Sequence, residues 1–490
     1  MTNTPVSNIE KYELVVGLEV HAQLSTNTKI FSSDSSAFGG GPNTHISPVS
    51  LGHPGTLPRT NARAVEYAVK LGLAVNSKIN LNNHFARKNY FYADLPKGYQ
   101  ISQDVEPICV GGSVEVRLKS GEVKHIAIHH IHMEEDAGKS MHDQDSTQSL
   151  IDLNRAGVPL LEIVSEPDLK SAEEAQQYLT ELRKLVRYLD ICDGNMEEGS
   201  MRCDANISVR LKGDTKLGNR CEVKNLNSIR NVQRAIDHEF LRQVEVIEAG
   251  GKIDQNTLDF DAHTGETSVL RSKEMANDYR YFPDPDLPPL VITEAYVNNI
   301  RKSMPALPTE LYMKYTTELE LSSYDASVIT ADKELAHYFE ALIKLTDHYK
   351  SAANWLMGAV KSYLNEHSMN IQDFKLSPAH LAGLIALVDS NTVSNSVAVH
   401  KIFPVLVNHP EKTAGQVANE LNLVIEEGAV DVQGFIKAAL ANHPDKVKEY
   451  HNGKKGVLGL FMGEIMKQSK GKIDPKKTNQ LLIDILESSK

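Results

Sequence analysis

The sequence is poor in the residues that anchor redox, secreted and membrane proteins. Its 490 residues include four cysteines, Cys109, Cys192, Cys203 and Cys221, and none of them forms a CxxC pair. Such scatter argues against a Cys-based zinc site and fits a reducing cytosol. No run of about 18 apolar residues occurs, so nothing is expected to span a membrane. The first residues, MTNTPVSNIEKYELVV, have neither a basic segment ahead of an apolar core nor an Arg-rich amphipathic start. Neither a signal nor a transit peptide is expected, and the location expected is cytoplasmic. A net charge of −12 excludes a surface coated in cations, although a local basic patch is enough for nucleic acid. GxGxxG, GxSxG and GxCxG are all missing, so a Rossmann fingerprint, a serine-hydrolase elbow and a Cys-type glutaminase are not indicated. Gly138-Lys139-Ser140 resembles the end of a phosphate loop, but Met133 stands where that loop needs its first Gly. The Glu134-Glu135-Asp136 run before it would also repel phosphate. The chain shows no obvious nucleophile of its own.

What is present is a globular composition, 41% hydrophobic and 24% charged. Its length suggests three domains of about 150 residues. Residues 13–24 alternate as a strand, with Leu14, Val16, Leu18 and Val20 on one face. A loop rich in Ser, Gly and Pro runs from Ser32 to Pro58, and a helical pattern covers 62–75. Two strands around Ser120-Gly121 fit 113–133. Ser171 with Glu174 makes a capping box for a helix over 172–189, and Gly250-Gly251 ends another over 229–249. Strands fit 200–210 and 219–226 between them. The segment FPDPDLPPL, Phe282 to Leu290, closes the β-rich part, since proline suits neither helix interiors nor central strands. Helical patterns follow to about 405, then short helices with small residues. The expected domains are 1–295, 296–408 and 409–490.

The chemistry-bearing residues lie on strand faces. Glu19 and His21 share one face, and His130 and His132 share another that leads into Glu134 and Glu135. Glu162 and Glu166 share a third, Asp204, Asn206, Ser208 and Arg210 a fourth, and Arg220, Glu222 and Lys224 a fifth. The bland alternative is the wet side of an antiparallel sheet. Lys and Thr usually dominate such faces, whereas here acids mix with His and Arg. An acid cluster that repels itself needs a cation, so a divalent metal with phosphate is the sharper alternative. Arg155, Arg202 and Lys224 could then meet phosphate oxygens. Residues 87–100, RKNYFYADLPKGYQ, interleave basic and aromatic side chains as a nucleotide or RNA site would. An aromatic corner with snorkelling cations fits them equally. From Asp445 to Lys477 there are nine Lys against four acids, which suits a phosphate backbone or a solvated helix face.

Seven segments in order, VVGLEVHAQL, RKNYFYADLPKGYQISQ, HMEEDAGKS, DLNRAGVPLLEIVSEPD, GSMRCDANISVR, EVKNLNS and DYRYFPDPDLPPL, resemble the B subunit of the aspartyl/glutamyl-tRNA(Asn/Gln) amidotransferases. NWLMGAVKSYLN and the tail extend the resemblance over nearly the whole chain. It implies an α+β protein: an antiparallel, β-rich cradle with a core like glutamine synthetase and guanido kinases, then an all-α domain and a small YqeY-type tail that contacts tRNA. It implies a ligase that uses Mg-ATP to phosphorylate the side-chain carboxylate of Glu-tRNA(Gln) or Asp-tRNA(Asn). Ammonia released from glutamine by the A subunit, an amidase, then displaces the phosphate, and a small C subunit joins the two. It implies Glu19, His21, Glu135, Asp204 and Glu222 as the metal set, with Glu134 and Glu162 as second choices. Glu135, Lys88 and Arg155 are the implied catalytic residues, and Arg202 and Lys224 the nucleotide-binding ones. Ser32, Asp34, Ser47 and Ser50 occupy the loop where many members carry zinc-binding cysteines, so no zinc is expected.

Overall fold

The computed structural model describes residues 9–141, 148–272, 279–425, 431–469, 473 and 475–488. The chain divides into two compact units, 1–309 and 310–490. The first mixes strands and helices. Among its strands are, in chain order, β1 (Tyr12–Gln23), β2 (Lys78–Ile79), β3 (Ala86–Asn89), β4 (Tyr99–Ser102), β5 (Cys109–Val110), β6 (Ser113–Arg117), β7 (Val123–Glu135), β8 (Pro159–Ser165), β9 (Met201–Leu211), β10 (Cys221–Leu226), β11 (Asn256–Phe260), β12 (Thr267–Ser272) and β13 (Phe282–Pro283). Ten of them form one sheet in the order β12-β11-β10-β9-β1-β8-β7-β5-β2, with β6 also pairing β7. Among the described residues, only the β10–β11 pair in it is parallel. β13, β3 and β4 make a small second sheet.

The alternation read in residues 13–24 is what buries β1. Leu14, Val16, Leu18, Val20 and Ala22 are at most 6% exposed. They share a core with two helices, α2 (Ala172–Tyr188) and α3 (Ile229–Glu248), and with α1 (Ala62–Ala74). α3 packs on β9 and α2 on β6. Each such side chain taken out of water contributes about 1.5–3 kcal/mol, so one face of the sheet is committed to the helices. The other face is left to polar residues. The Ser171 hydroxyl caps α2, accepting from Glu174 N at 3.1 Å. The Glu174 carboxylate accepts from Lys170 N at 2.8 Å and pairs with Lys124. The helix Glu294–Lys302 follows the Pro-rich segment and returns Val297 and Ile300 to the first core.

The second unit carries helices and no strand among its described residues. Two short π-helical turns, Leu356–Val360 and Ala398–Ile402, interrupt its helices. Its C-terminal part has a core of its own, built on Ile436, Phe461, Ile465, Leu482 and Leu486.

Candidate active site

The polar face of the large sheet gathers two groups of ligand-type side chains. Antiparallel pairing sets Glu162 of β8 and Arg202 of β9 opposite His21, Asp204 opposite Glu19, and His132 of β7 opposite Glu162. Glu222 of β10 lies opposite Asn206. Residues paired across a sheet point to the same side, so register alone builds the site.

The first group is Glu19, Asp204 and Glu222, with one oxygen of each within 4.8 Å of the others. Asn206 donates to Glu19 Oε1 at 2.8 Å, and Thr257 donates to Glu222 Oε2 at 3.0 Å. The Lys224 ammonium stands 2.5 Å from Asp204 Oδ2 and 3.0 Å from Glu222 Oε1. Burial and then the charge of Glu162 raise the Glu19 pKa, against the Asn206 hydrogen bond. Burial lowers the Lys224 pKa, but Asp204 and Glu222 outweigh it and hold the ammonium protonated. A trio of carboxylates with a cation already between two of them is a set of hard oxygen donors, which suits Mg²⁺.

The second group is His21, Glu134 and Glu162. His21 Nε2 lies 3.3 Å from Glu162 Oε2 and 3.8 Å from Glu134 Oε1. His132 Nε2 lies 3.4 Å from Glu134 Oε2 and 3.3 Å from Glu162 Oε2. Burial disfavours charge on His132, but Glu162 and Glu134 outweigh it and raise its pKa to about 10. In turn, His132 and His21 hold Glu162 well below the usual carboxylate range despite its burial. His130 stacks on His132 at 5.2 Å between ring centroids. Burial, then the neighbouring His132 and His129, push His130 down to about 4. Lys88 reaches this group from β3: burial lowers its pKa, and Tyr281, Glu134 and Glu162 raise it by more.

Glu135 joins neither group among the described residues. Alternation along β7 turns it away from His132 and Glu134. Its carboxylate is 3% exposed, accepts from Ile101 N at 2.9 Å and pairs with Lys97. It lines a separate cavity of about 220 Å³ with Lys29, Arg87 and Lys97. Of the metal set implied by the resemblance, three members therefore meet, His21 stands in the neighbouring group, and Glu135 lies apart.

A larger cavity, about 840 Å³, is lined by Arg155, Arg202, Asp204 and Lys224. Its size is in the range of small-molecule sites, about 300–1,000 Å³. Arg202 donates to Asp136 Oδ2 at 2.7 Å, and Arg155 donates to the carbonyls of Ala137 and Gly138 at 2.9 and 2.7 Å. Arg202, and next Arg155, depress the Asp136 pKa against its burial. Lys139 also lines this cavity, yet Lys139–Met141 is a short strand paired with Leu150–Asp152 and not a phosphate loop at a helix start.

Residues 14–298 match the family profile described as the GatB/GatE catalytic domain, and residues 337–486 match one described as the GatB domain. The chain belongs to the GatB family. Curated relatives are named as the B subunit of aspartyl/glutamyl-tRNA(Asn/Gln) amidotransferase. That of Geotalea daltonii (strain DSM 22248 / JCM 15807 / FRC-32) is 49% identical over 480 residues, 97% of this chain and 100% of the relative. That of Thioalkalivibrio sulfidiphilus (strain HL-EbGR7) is 48% identical over 475 residues, 96% and 99% of the two chains. That of Clostridium tetani (strain Massachusetts / E88) is 45% identical over 471 residues, 96% and 98%. Both groups and the larger cavity fall inside the match to the GatB/GatE catalytic domain.

Sequence reasoning ranks Glu134 and Glu162 second, though the period of two already puts Glu134 on the face of His132. It misses Lys97 and Asp136, whose partners lie 38 and 66 residues away. The segment 87–100 divides into paired and exposed side chains. Arg87 pairs with Asp284 and Asp286, whereas Phe91 and Tyr92 are exposed. The hydroxyls of Ser32, Ser47 and Ser50 all donate to Asp34 Oδ2, which ties that loop together.

Proposed function

We propose that this chain phosphorylates the side-chain carboxylate of Glu-tRNA(Gln) or Asp-tRNA(Asn) with ATP and amidates it. It is one subunit of a tRNA-dependent amidotransferase, a carbon–nitrogen ligase with glutamine as amido donor. The observation that carries the finer reading is Asp204, which belongs both to the carboxylate trio and to the wall of the cation-lined cavity.

A carboxylate resists ammonia because its leaving group would be oxide. Attack of a carboxylate oxygen on the γ-phosphorus of ATP gives an acyl phosphate and ADP. Ammonia then adds at the carbonyl carbon, phosphate departs with the C–O electron pair, and the surplus proton leaves to phosphate or solvent. Arg155, Arg202 and Lys224 are placed to meet phosphate oxygens. Glu19, Asp204 and Glu222 would hold Mg²⁺, with His21 beside them. Bound there, Mg²⁺ would offset the negative charge between phosphates and substrate carboxylate. Lys224 would leave its carboxylates for the phosphates. Lys88 lies near Glu134 and Glu162, where an acidic substrate needs a positive neighbour. Glu135 we read as a positioning residue for Lys97.

The reading assigns glutamine hydrolysis to the amidase, the A subunit of the assembly, and a joining role to the small C subunit. It assigns misacylated tRNA to the cradle and the tail, and the cytoplasm as location. It needs no zinc. It also retains the glutamine synthetase-like and guanido kinase-like core and the three-domain division. No described helix is long and apolar enough to cross a membrane.

The test is transamidation by the assembled enzyme with both misacylated tRNAs. Asp204→Asn should slow ATP-dependent amidation by a factor on the order of 10² or more. Glutaminase activity in the partner and tRNA affinity should persist. Amidation at the wild-type rate by Asp204→Asn sinks the assignment.

A further inference from the structure

The 840 Å³ cavity has two unlike kinds of lining. Arg155, Arg202 and Lys224 bring positive charge, and Val158, Met196 and Leu226 bring apolar surface. Those three apolar side chains are at most 8% exposed. Phe38, which lines the same cavity, is 79% exposed. A phenyl ring standing in water beside apolar walls forgoes the gain of burial.

The segment carrying Phe38 is fixed at both ends. Before it, Thr28 and Ser35 form a β-bridge and Ser36 N donates to Asn27 O at 3.3 Å. After it, Asn154 donates to Gly41 O at 2.7 Å, and Asn43 N donates to Asp152 Oδ1 at 3.1 Å. Residues 37–40 are the short flap left between these posts. Gly39 at its tip has φ of +85°, in the left-handed region where a side chain would be strained, and a Cβ there would meet nothing within 4 Å. The flap therefore presents one aromatic ring on glycines, over a cavity that offers cations and apolar walls together.

We propose that Phe38 is the platform on which the adenine of ATP stacks, the 37–40 flap settling over the base while the cations hold the phosphates. A ligand with a flat apolar end and a polyanionic end matches both linings, and base stacking on an aromatic ring is a recurrent source of affinity. This rests on the nucleotide reading above and adds the residue that grips the base.

The test is calorimetry on the full chain with Mg-ATP and with Mg-tripolyphosphate, which has the anion and no base. Phe38→Ala should raise the ATP dissociation constant about tenfold, about 1.4 kcal/mol. It should leave that of tripolyphosphate within about twofold, because the cations are untouched. Phe38→Tyr should restore ATP binding. Phe38→Trp, against the wild-type signal of the single native Trp355, should change fluorescence with ATP and not with tripolyphosphate. Unchanged ATP affinity in Phe38→Ala overturns the proposal. So does an equal loss for both ligands. If wild type binds tripolyphosphate but not ATP, the nucleotide reading itself falls.

Discussion

At the scale of single residues, His132 sets how the site responds to pH. Its imidazole is held between Glu134 and Glu162, and its folded pKa of about 10 lies above the ordinary value near 6.5. A base whose pKa is raised by folding stabilises the fold fully below the unfolded value and loses that contribution as pH climbs through the folded one. The window is therefore from about 6.5 to about 10. Lys29 acts with the opposite sign: burial lowers its pKa to about 8, so the strain of its charge is relieved only as pH rises from there towards its unfolded value. Urea unfolding at pH 6, 8 and 10 separates the two. The wild-type unfolding free energy should fall over this range more steeply than that of His132→Gln, by a difference on the order of a few kcal/mol. Parallel curves for the two proteins would show that His132 carries no such charge.

At the scale of elements, the site is a consequence of register. Five strands were legible because their apolar residues recur with a period of two, and the same period named Glu19, His21, Glu162, Asp204 and Glu222 as face residues. Which strands neighbour which was not legible, because pairing is set by contacts between distant segments: β1 pairs with β8 and β9, more than a hundred residues downstream. Hence the family resemblance implied one metal set, whereas the register sorts its members between two groups and leaves Glu135 outside. The capping box at Ser171 shows the same limit on a smaller scale. The serine caps α2 as its spacing implies, but Glu174 turns to Lys170 N and to Lys124 on β7, a partner no local pattern reveals. Ser171→Ala should cost about 1 kcal/mol of stability. Since α2 lies on the helix-covered face of the sheet, the ATP dissociation constant should stay unchanged. A fall in midpoint without a fall in affinity is the expected result, and lost affinity would mean that the two faces are coupled.

At the scale of the whole molecule, the candidate site and the C-terminal helices belong to different compact units. The first core, from Leu14 to Ile300, draws every buried member from residues before 309, and the same unit includes all residues assigned to phosphate, metal or base. The match to the GatB/GatE catalytic domain ends at 298, also inside this unit. The nine lysines between Asp445 and Lys477 belong to the second unit, whose C-terminal part has its own apolar centre. A polypeptide of residues 1–309 should therefore unfold in a single transition, since its core is complete. It should bind Mg-ATP with a dissociation constant within about twofold of the full chain, because no side chain placed at the nucleotide is removed. Its affinity for misacylated tRNA should drop. The plot of log K against log salt should become shallower by about 0.9 for each phosphate that the missing basic helices no longer neutralise, on the scale for double-stranded nucleic acid. An unchanged salt slope would place tRNA on the first unit alone. Loss of ATP binding by a folded 1–309 fragment would mean that the second unit completes the nucleotide site.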